Sequence, residues 1–396
     1  MNDTVFPRAA EIQPDHDGRR APSVSEAEVP AALRTVRGAE RDKRQERFFE
    51  LHYPEPNFKL GWSEQTHKRL VNEGPPCHLG QTYERLAEKY GDLIQRANAA
   101  AQSFHERPAE GSTDPDRDMS DEIRRVASES GVDLIGFTRF ERRYVTAEGK
   151  DSALFKNVVV LCRAFDWEKT QALPSVEWDV HSYDTSLALT LAALEVAEFI
   201  RGRGFPVQFI AGTGMRGEKM LAPVLPYAVE AGLGQMGANG TMLTAEFGSR
   251  IRILALSTDA PVTYGKPVDL GINALCDACR ICTNRCPGRA LSRNRVAWRG
   301  VTKYKVVAER CLPMLRYADC NVCTKVCPVQ HHGLKPVLDH FAATGEVLGK
   351  EDAALQTYDF FEKGRFGPGQ LPRFGAKEGG RGLKDMVRAL EGDSQN

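Results

Sequence analysis

Eight of the ten cysteines fall between Cys276 and Cys327, and their spacing is that of a metal–sulfur site. Cys276, Cys279, Cys282 and Cys286, followed by Pro287, read C-x-x-C-x-x-C-x-x-x-C-P. Cys311, Cys320, Cys323 and Cys327, followed by Pro328, keep the C-x-x-C-x-x-x-C-P ending after a stretched first gap. This is the bacterial run in which three thiolates hold one 4Fe–4S cluster and the fourth serves the other. The short steps let three sulfurs converge within one tight loop, and the longer step turns the last away. The expected assignment is therefore crossed. Cys276, Cys279, Cys282 and Cys327 form one ligand set, and Cys311, Cys320, Cys323 and Cys286 the other. Two adjacent clusters carry single electrons. Zinc ribbons are the competing reading, and iron content separates the two. Cys77 and Cys162 stand apart and read as a loop or buried thiol each.

A second chemical candidate lies upstream. In "AGLGQMGANG" the residues Gly232, Gly234 and Gly237 spell G-x-G-x-x-G. A dinucleotide loop of that pattern needs a strand before it and a helix after it. Here "LAPVLPYAVEA" precedes it, with Pro223 and Pro226, and reads as a turn into a helix. Asn239-Gly240 follows, a turn signal. The nicotinamide reading therefore fails on context, although Asp259 stands near the distance of a ribose carboxylate. A wide, flat ligand, or a tight turn that touches none, fits the glycines better.

The elements that must position these residues are legible in part. "MSDEIRRVASESGVDLIGF" reads as a helix capped by Ser120, stopped at Gly131 and followed by a strand. "NVVVLCRAF" (157–165) is a buried-strand run, and "FPVQFI" and "SRIRILALSTD" are further strands. "SYDTSLALTLAALEVAEFIRGRGF" predicts a helix buried on most sides, ending at Gly202 or Gly204. "LGQTYERLAEKYGDLIQRANAAAQSF" has helical spacing, with Leu86, Leu93 and Ile94 on one face. These elements predict an α+β chain. Its expected divisions are a disordered tail over 1–48, a helical extension and linker over 49–118, and a body over 119–264. A cysteine module over 265–334 and an irregular, Gly- and Pro-rich tail over 335–396 complete the chain.

With 396 residues, 41% of them hydrophobic, the chain can bury a sizeable core. A formal net charge of +0 argues against a nucleic-acid partner. No run approaches the ~18 apolar residues of a membrane span. Arg19 and Arg20 are followed by "APSVSEAEVP" in place of an apolar stretch, so the pair reads as part of a polar tail and not an export signal. The cytoplasm is the expected compartment, where tight C-x-x-C spacing favours metal over disulfides.

The succession "AGLGQMG", "EFGSR", "STDAP" and then the cysteine run resembles the family that joins cobalamin-dependent reductive dehalogenases with epoxyqueuosine reductases, over residues 119–330. That resemblance implies a nitroreductase-like α/β body holding base-off cobalamin, and a C-terminal ferredoxin-like domain with two 4Fe–4S clusters feeding electrons to it. It implies that Gly232, Gly234, Met236, Gly237, Asn239, Gly240, Gly248 and Ser249 meet the corrin. It places Tyr183 where the dehalogenases carry a proton-donating tyrosine, with Asp184 and Asp179 as rivals. It also implies a small-molecule substrate cleaved at a carbon–halogen or carbon–oxygen bond, a reduced ferredoxin or flavodoxin as donor, and a homodimer. The relatives carry lysine or arginine after the last loop glycine, where this chain has Ala238; Arg216, Lys219 or Arg250 would have to reach in. Two other functions compete. One is an electron-transfer or cobalamin-handling protein with no substrate of its own; the other is an epoxyqueuosine reductase, for which a basic flank and a C-terminal helical repeat are expected.

Overall fold

The computed structural model describes residues 6–14, 19–34, 46–47, 79–111, 114, 116–146, 149, 151–152, 155–211, 221–298, 301–307, 310–311, 314–315 and 320–373. Cys77, Arg216, Lys219, the aromatic stretch over 48–62 and the end of the tail lie outside them.

The body is a mixed α/β structure built on one antiparallel sheet of four strands, in the order β1-β2-β6-β3. β1 is Leu134–Arg139, β2 Asn157–Ala164, β3 Val207–Ala211 and β6 Ile251–Thr258, while a separate short hairpin pairs β4 (Gln235–Met236) with β5 (Met242–Leu243). The helices used below are α1 (Ala9–Ile12), α2 (Leu79–Tyr90), α3 (Leu93–Gln102), α4 (Ser120–Glu129), α5 (Val176–Gly202) and α6 (Val224–Glu230). They continue as α7 (Ile272–Cys279), α8 (Ile281–Arg285), α9 (Val322–Lys325), α10 (Pro328–His332) and α11 (Leu334–Thr344).

Every residue of β2 is buried, because the sheet is covered on both faces. Alternate side chains divide between them. Val159 and Leu161 join the core formed with α5, whereas Val158, Val160 and Cys162 pack with Tyr227, Ala228 and Met242. Cys162 is thus a buried core thiol. The long helix α5 is apolar nearly all round because α1, α2, α3 and α4 lie against one side of it and the sheet against another. It begins earlier than the sequence suggests: Ser175 caps it by accepting from the Trp178 amide at 3.1 Å, so Tyr183 lies two turns inside.

Three expectations are corrected. The described part of residues 1–48 is packed, not disordered: Ala9 and Ile12 join the main core, and Val24, Val29 and Leu33 enter the core of the cysteine region. Few apolar residues suffice where each finds a preformed groove. The Arg19 guanidinium lies 4.0 Å from the Trp167 ring centre. The described part of the tail from 335 is ordered, with α11 followed by an aromatic segment against the cysteines. Finally, Ser120 is the first residue of α4 and not its cap; Met119 holds that position without a side-chain bond, and Asp118 Oδ1 accepts from the Ser120 amide at 2.9 Å. No described helix is long and apolar enough to cross a membrane.

Candidate functional site

Two groups of cysteines face inward from α7 to α10. Helix α7 ends on Cys279, where Arg280 turns the chain in the left-handed region (φ 61), and α8 starts at once. This tight reversal brings Cys276, Cys279 and Cys282 to one side. Cys327, at the N-terminus of α10 with Pro328 in its first turn, closes the group. Burial pushes the Cys279 thiol up to about 12, with the neighbouring Cys327 adding to the effect. Burial also raises Cys282, which has Cys276, Cys279 and Cys327 as its nearest sulfurs. Cys320 is raised by burial and then by Cys286, Cys323 and Cys311. The structure therefore brings Cys276, Cys279, Cys282 and Cys327 together, and Cys286, Cys311, Cys320 and Cys323 together beside them.

A thiol so buried does not ionise on its own; it needs a metal or a donor. Donors are present. The Ala238 amide donates to Cys276 Sγ at 3.4 Å and the Ala290 amide to Cys286 Sγ at 3.2 Å. Further backbone amides face Cys279, Cys320 and Cys327, while the buried Ser249 hydroxyl makes no hydrogen bond among the described residues. Amides aimed at sulfur are the means by which a protein stabilises a thiolate-held cluster. Among the described residues no three His, Cys, Asp or Glu side chains converge closely enough for a single ion. A cubane, with iron at separate corners, asks for wider spacing than one ion does.

The first cysteine group opens into a small recess that it shares with Ala238, Asn239 and Leu243. The "AGLGQMGANG" stretch thus supplies β4 and the turn into β5, and it follows a helix, α6, in place of a strand. No dinucleotide fold has that order. Its glycines serve the chain's own close packing. A Cβ on Gly232 would lie 2.5 Å from the Lys266 carbonyl oxygen, and one on Gly248 2.6 Å from the Gln330 backbone. Cβ atoms on Gly234, Gly237 and Gly240 would meet Leu243 and Val306. Met236 pairs with Met242 across the hairpin, and Met242 is buried in the sheet core. One group in the loop points to a ligand. Asn239 is only 4% exposed, and its side-chain Nδ2 has no partner among the described residues. A corrin amide or phosphate oxygen would satisfy that donor, so Asn239 fits the group that the resemblance implies.

Tyr183 is not brought to the cysteines by any contact described. Its hydroxyl lies 3.0 Å from that of Tyr83 on α2. Its rivals are held by the same helix: Asp184 accepts from Lys89 at 2.9 Å and Tyr90 at 2.8 Å, and Asp179 from Thr82 at 3.2 Å. Arg250 is held within the fold. It is 1% exposed, and its bonds to Phe165, Gln330 and Arg19 all run to backbone carbonyls. Sequence reasoning missed Tyr83 and two buried cations, Arg285 and Lys325, because neither periodicity nor spacing distinguishes them from surface residues.

No family model matches the chain. A tetrachloroethene reductive dehalogenase of Desulfitobacterium hafniense is 28% identical over 221 residues, covering 52% of this chain and 38% of that protein. An epoxyqueuosine reductase of Synechococcus sp. is 34% identical over 115 residues, 27% of this chain and 34% of that one. The chain thus spans well under half the length of either. A solved reductive dehalogenase, described as suggesting a mechanism for B12-dependent dehalogenation, superposes with a TM-score of 0.55 at 20% identity. That superposition covers 80% of this chain and 52% of the other, and so shows a shared fold. On the cysteine pattern, the hairpin beside it and these matches, the chain is similar to the reductive dehalogenases and epoxyqueuosine reductases.

Proposed function

We propose that this chain is a cobalamin-dependent iron–sulfur reductase that cleaves a carbon–halogen or carbon–oxygen bond in a small molecule. The observation that carries the reading is the recess where Cys276, Cys279, Cys282 and Cys327 meet Ala238 and Asn239 of the hairpin loop. Two sets of four cysteines would hold two 4Fe–4S clusters, and the loop would hold one edge of base-off cobalamin. When bound, cobalamin supplies a strongly reducing metal centre. The chain's own residues do the rest. The Ala238 amide would stabilise a Cys276 thiolate, and the Asn239 side-chain amide would meet the corrin rim. Tyr183 is the proposed proton donor, with the Tyr83 hydroxyl at 3.0 Å available to accept from or donate to it. The nitroreductase-like body and the ferredoxin-like module belong to the same proposal, as do a reduced ferredoxin or flavodoxin as donor, a homodimer and a cytoplasmic setting.

The test is anaerobic purification and reconstitution with hydroxocobalamin, followed by iron and cobalt analysis and visible spectra. About eight irons per chain are expected for two cubanes. Bound zinc with no iron, or no retained cobalamin, overturns the reading. A second reading, an electron-transfer or cobalamin-handling protein without substrate, is favoured by Ala238 and by the engagement of Arg250 with backbone carbonyls. Loaded protein that reduces cobalamin yet turns over no halogenated aromatic compound or epoxide would select it.

A further inference from the structure

The chain as a whole carries no net charge, yet from Arg280 to Arg316 it has ten lysines or arginines against one acid, Glu309. Some of these cations serve the fold. Arg285 is buried on backbone carbonyls, and Arg295, also buried, pairs with Asp277 at 2.6 Å. Arg289 and Arg293 differ. Both are exposed, and neither side chain has a hydrogen bond or a carboxylate partner among the described residues. Arg289 also sits in the left-handed region, at φ 48, an angle that glycine takes without strain and arginine does not. The side chain has no polar contact among the described residues that explains arginine there, so its use lies at the surface.

The backbone under these arginines holds the second cysteine group. The Ala290 amide donates to Cys286 Sγ at 3.2 Å, and the Gly288, Arg289 and Leu291 amides face the same sulfur. Arg310, the residue before Cys311, donates to the Arg289 carbonyl at 3.1 Å. The Val307 amide fastens the two segments by donating to the Ala290 carbonyl at 2.8 Å, and a Cβ on Gly288 would collide with the Arg310 carbonyl oxygen. The Arg293 carbonyl accepts from Arg280, the residue after Cys279. The recess beside Ala238, by contrast, is lined by Cys276, Cys279, Cys282 and Cys327 and by no member of the second group. An electron arriving through the loop over 286–293 therefore enters at the group that does not meet the hairpin loop.

Resting on the two-cluster reading above, we propose that Arg289, Arg293 and Arg310 form the docking surface for an acidic one-electron carrier protein. The carrier delivers its electron to the cluster held by Cys286, Cys311, Cys320 and Cys323. Opposite charge steers such an encounter and makes it sensitive to salt, and contacts of this kind are small and short-lived. A basic surface also attracts nucleic acid. The electron carrier is favoured because the patch lies on the backbone that binds a cluster ligand, a proximity from which an RNA gains nothing. With flavodoxin as carrier, the flavin hydroquinone anion loses one electron and no proton, leaving the neutral semiquinone. One 4Fe–4S cluster passes from its 2+ to its 1+ state.

The experiment mixes the iron-loaded full chain with fully reduced flavodoxin in a stopped-flow spectrometer at low salt and follows semiquinone formation. Wild type is compared with Arg289→Gly, with Arg289→Glu and Arg293→Glu combined, and with Arg125→Glu on α4 as a remote charge reversal. The expected rate falls about tenfold in the double reversal and less in Arg289→Gly, while Arg125→Glu stays near wild type. Added salt should slow wild type and leave the double reversal nearly unchanged. Reduced methyl viologen, a small cation that needs no docking surface, should reduce every variant at least as fast as wild type. Unchanged flavodoxin rates in variants that retain full iron would overturn the proposal. So would equal slowing with viologen, which means structural damage, or equal slowing by Arg125→Glu, which means a general field. Wild type that accepts electrons from viologen and none from flavodoxin overturns it too. Binding of an RNA stem-loop that the double reversal abolishes, with the flavodoxin rate intact, would assign the surface to nucleic acid instead. Wild type without iron would sink the function proposed above, and this surface with it.

Discussion

At the scale of residues, Asp118 shows how much one carboxylate can organise. Its oxygens accept from Ser120 and from the Thr263 hydroxyl at 2.6 Å, tying the start of α4 to the loop after β6. Those bonds hold its pKa down to about 2, below the ordinary 3.8. A depressed carboxylate pKa contributes stability that is present above the unfolded value and is lost as pH falls from about 4 towards about 2. Asp118→Asn should therefore remove part of the acid-unfolding slope between those values. Asp118→Ala should cost about 1 kcal/mol, as the loss of a hydrogen-bonded group does; both are read by chemical denaturation across pH. At the proposed site, Tyr183→Phe should abolish turnover by loaded protein while leaving both clusters' spectra intact. Tyr83→Phe should lower turnover less, because it removes a partner of the donor and not the donor. Unimpaired turnover in Tyr183→Phe would remove that residue from the mechanism.

At the scale of elements, the cysteine helices depend on neighbours placed at backbone contact. Gly248 has φ 57, and a Cβ there would lie 2.6 Å from Gln330, on the helix that starts after Cys327. Gly248→Ala should therefore push α10 from the hairpin and lower the iron content of the first cysteine group, beyond the ~1 kcal/mol of unfavourable φ alone. Iron analysis with circular dichroism separates cluster loss from unfolding. Helix α2 is a second case. Through Tyr83, Thr82, Lys89 and Tyr90 it covers Tyr183, Asp179 and Asp184 of α5. Substrate access past Tyr183 would then require α2 to move, and a disulfide engineered between α2 and α5 should reduce turnover reversibly with reductant.

At the scale of the whole molecule, the sheet body and the cysteine region are stabilised differently. The body has an apolar core around α5, whereas the cysteine region has two smaller clusters that include the cysteines themselves. Removing iron by chelation should loosen the region from about 270 to 370 and leave the sheet folded, since a metal site's binding energy is also folding energy. Limited proteolysis of chelated protein should cut first in that region, and cutting in the sheet instead would contradict this division.

What the amino-acid sequence by itself determined is local and periodic. The cysteine spacing, the buried run of β2, the apolar length of α5 and the Asn239-Gly240 turn each follow from residues a few positions apart. The failure of the dinucleotide pattern was legible for the same reason, since the neighbouring elements decide it. What only the tertiary structure decided is long-range. Packing of Ala9, Ile12, Val24, Val29 and Leu33, the aromatic segment of Tyr358 and Phe360 against the cysteines, the bond between Tyr83 and Tyr183 and the burial of Arg285 and Lys325 join segments far apart in the chain. No local pattern encodes them: a polar tail docks through a handful of apolar contacts, and a buried cation has the same letters around it as an exposed one. The loop glycines show both levels at once. Their spacing is visible in the sequence, but only the fold shows that the Lys266, Leu243, Val306 and Gln330 positions require them.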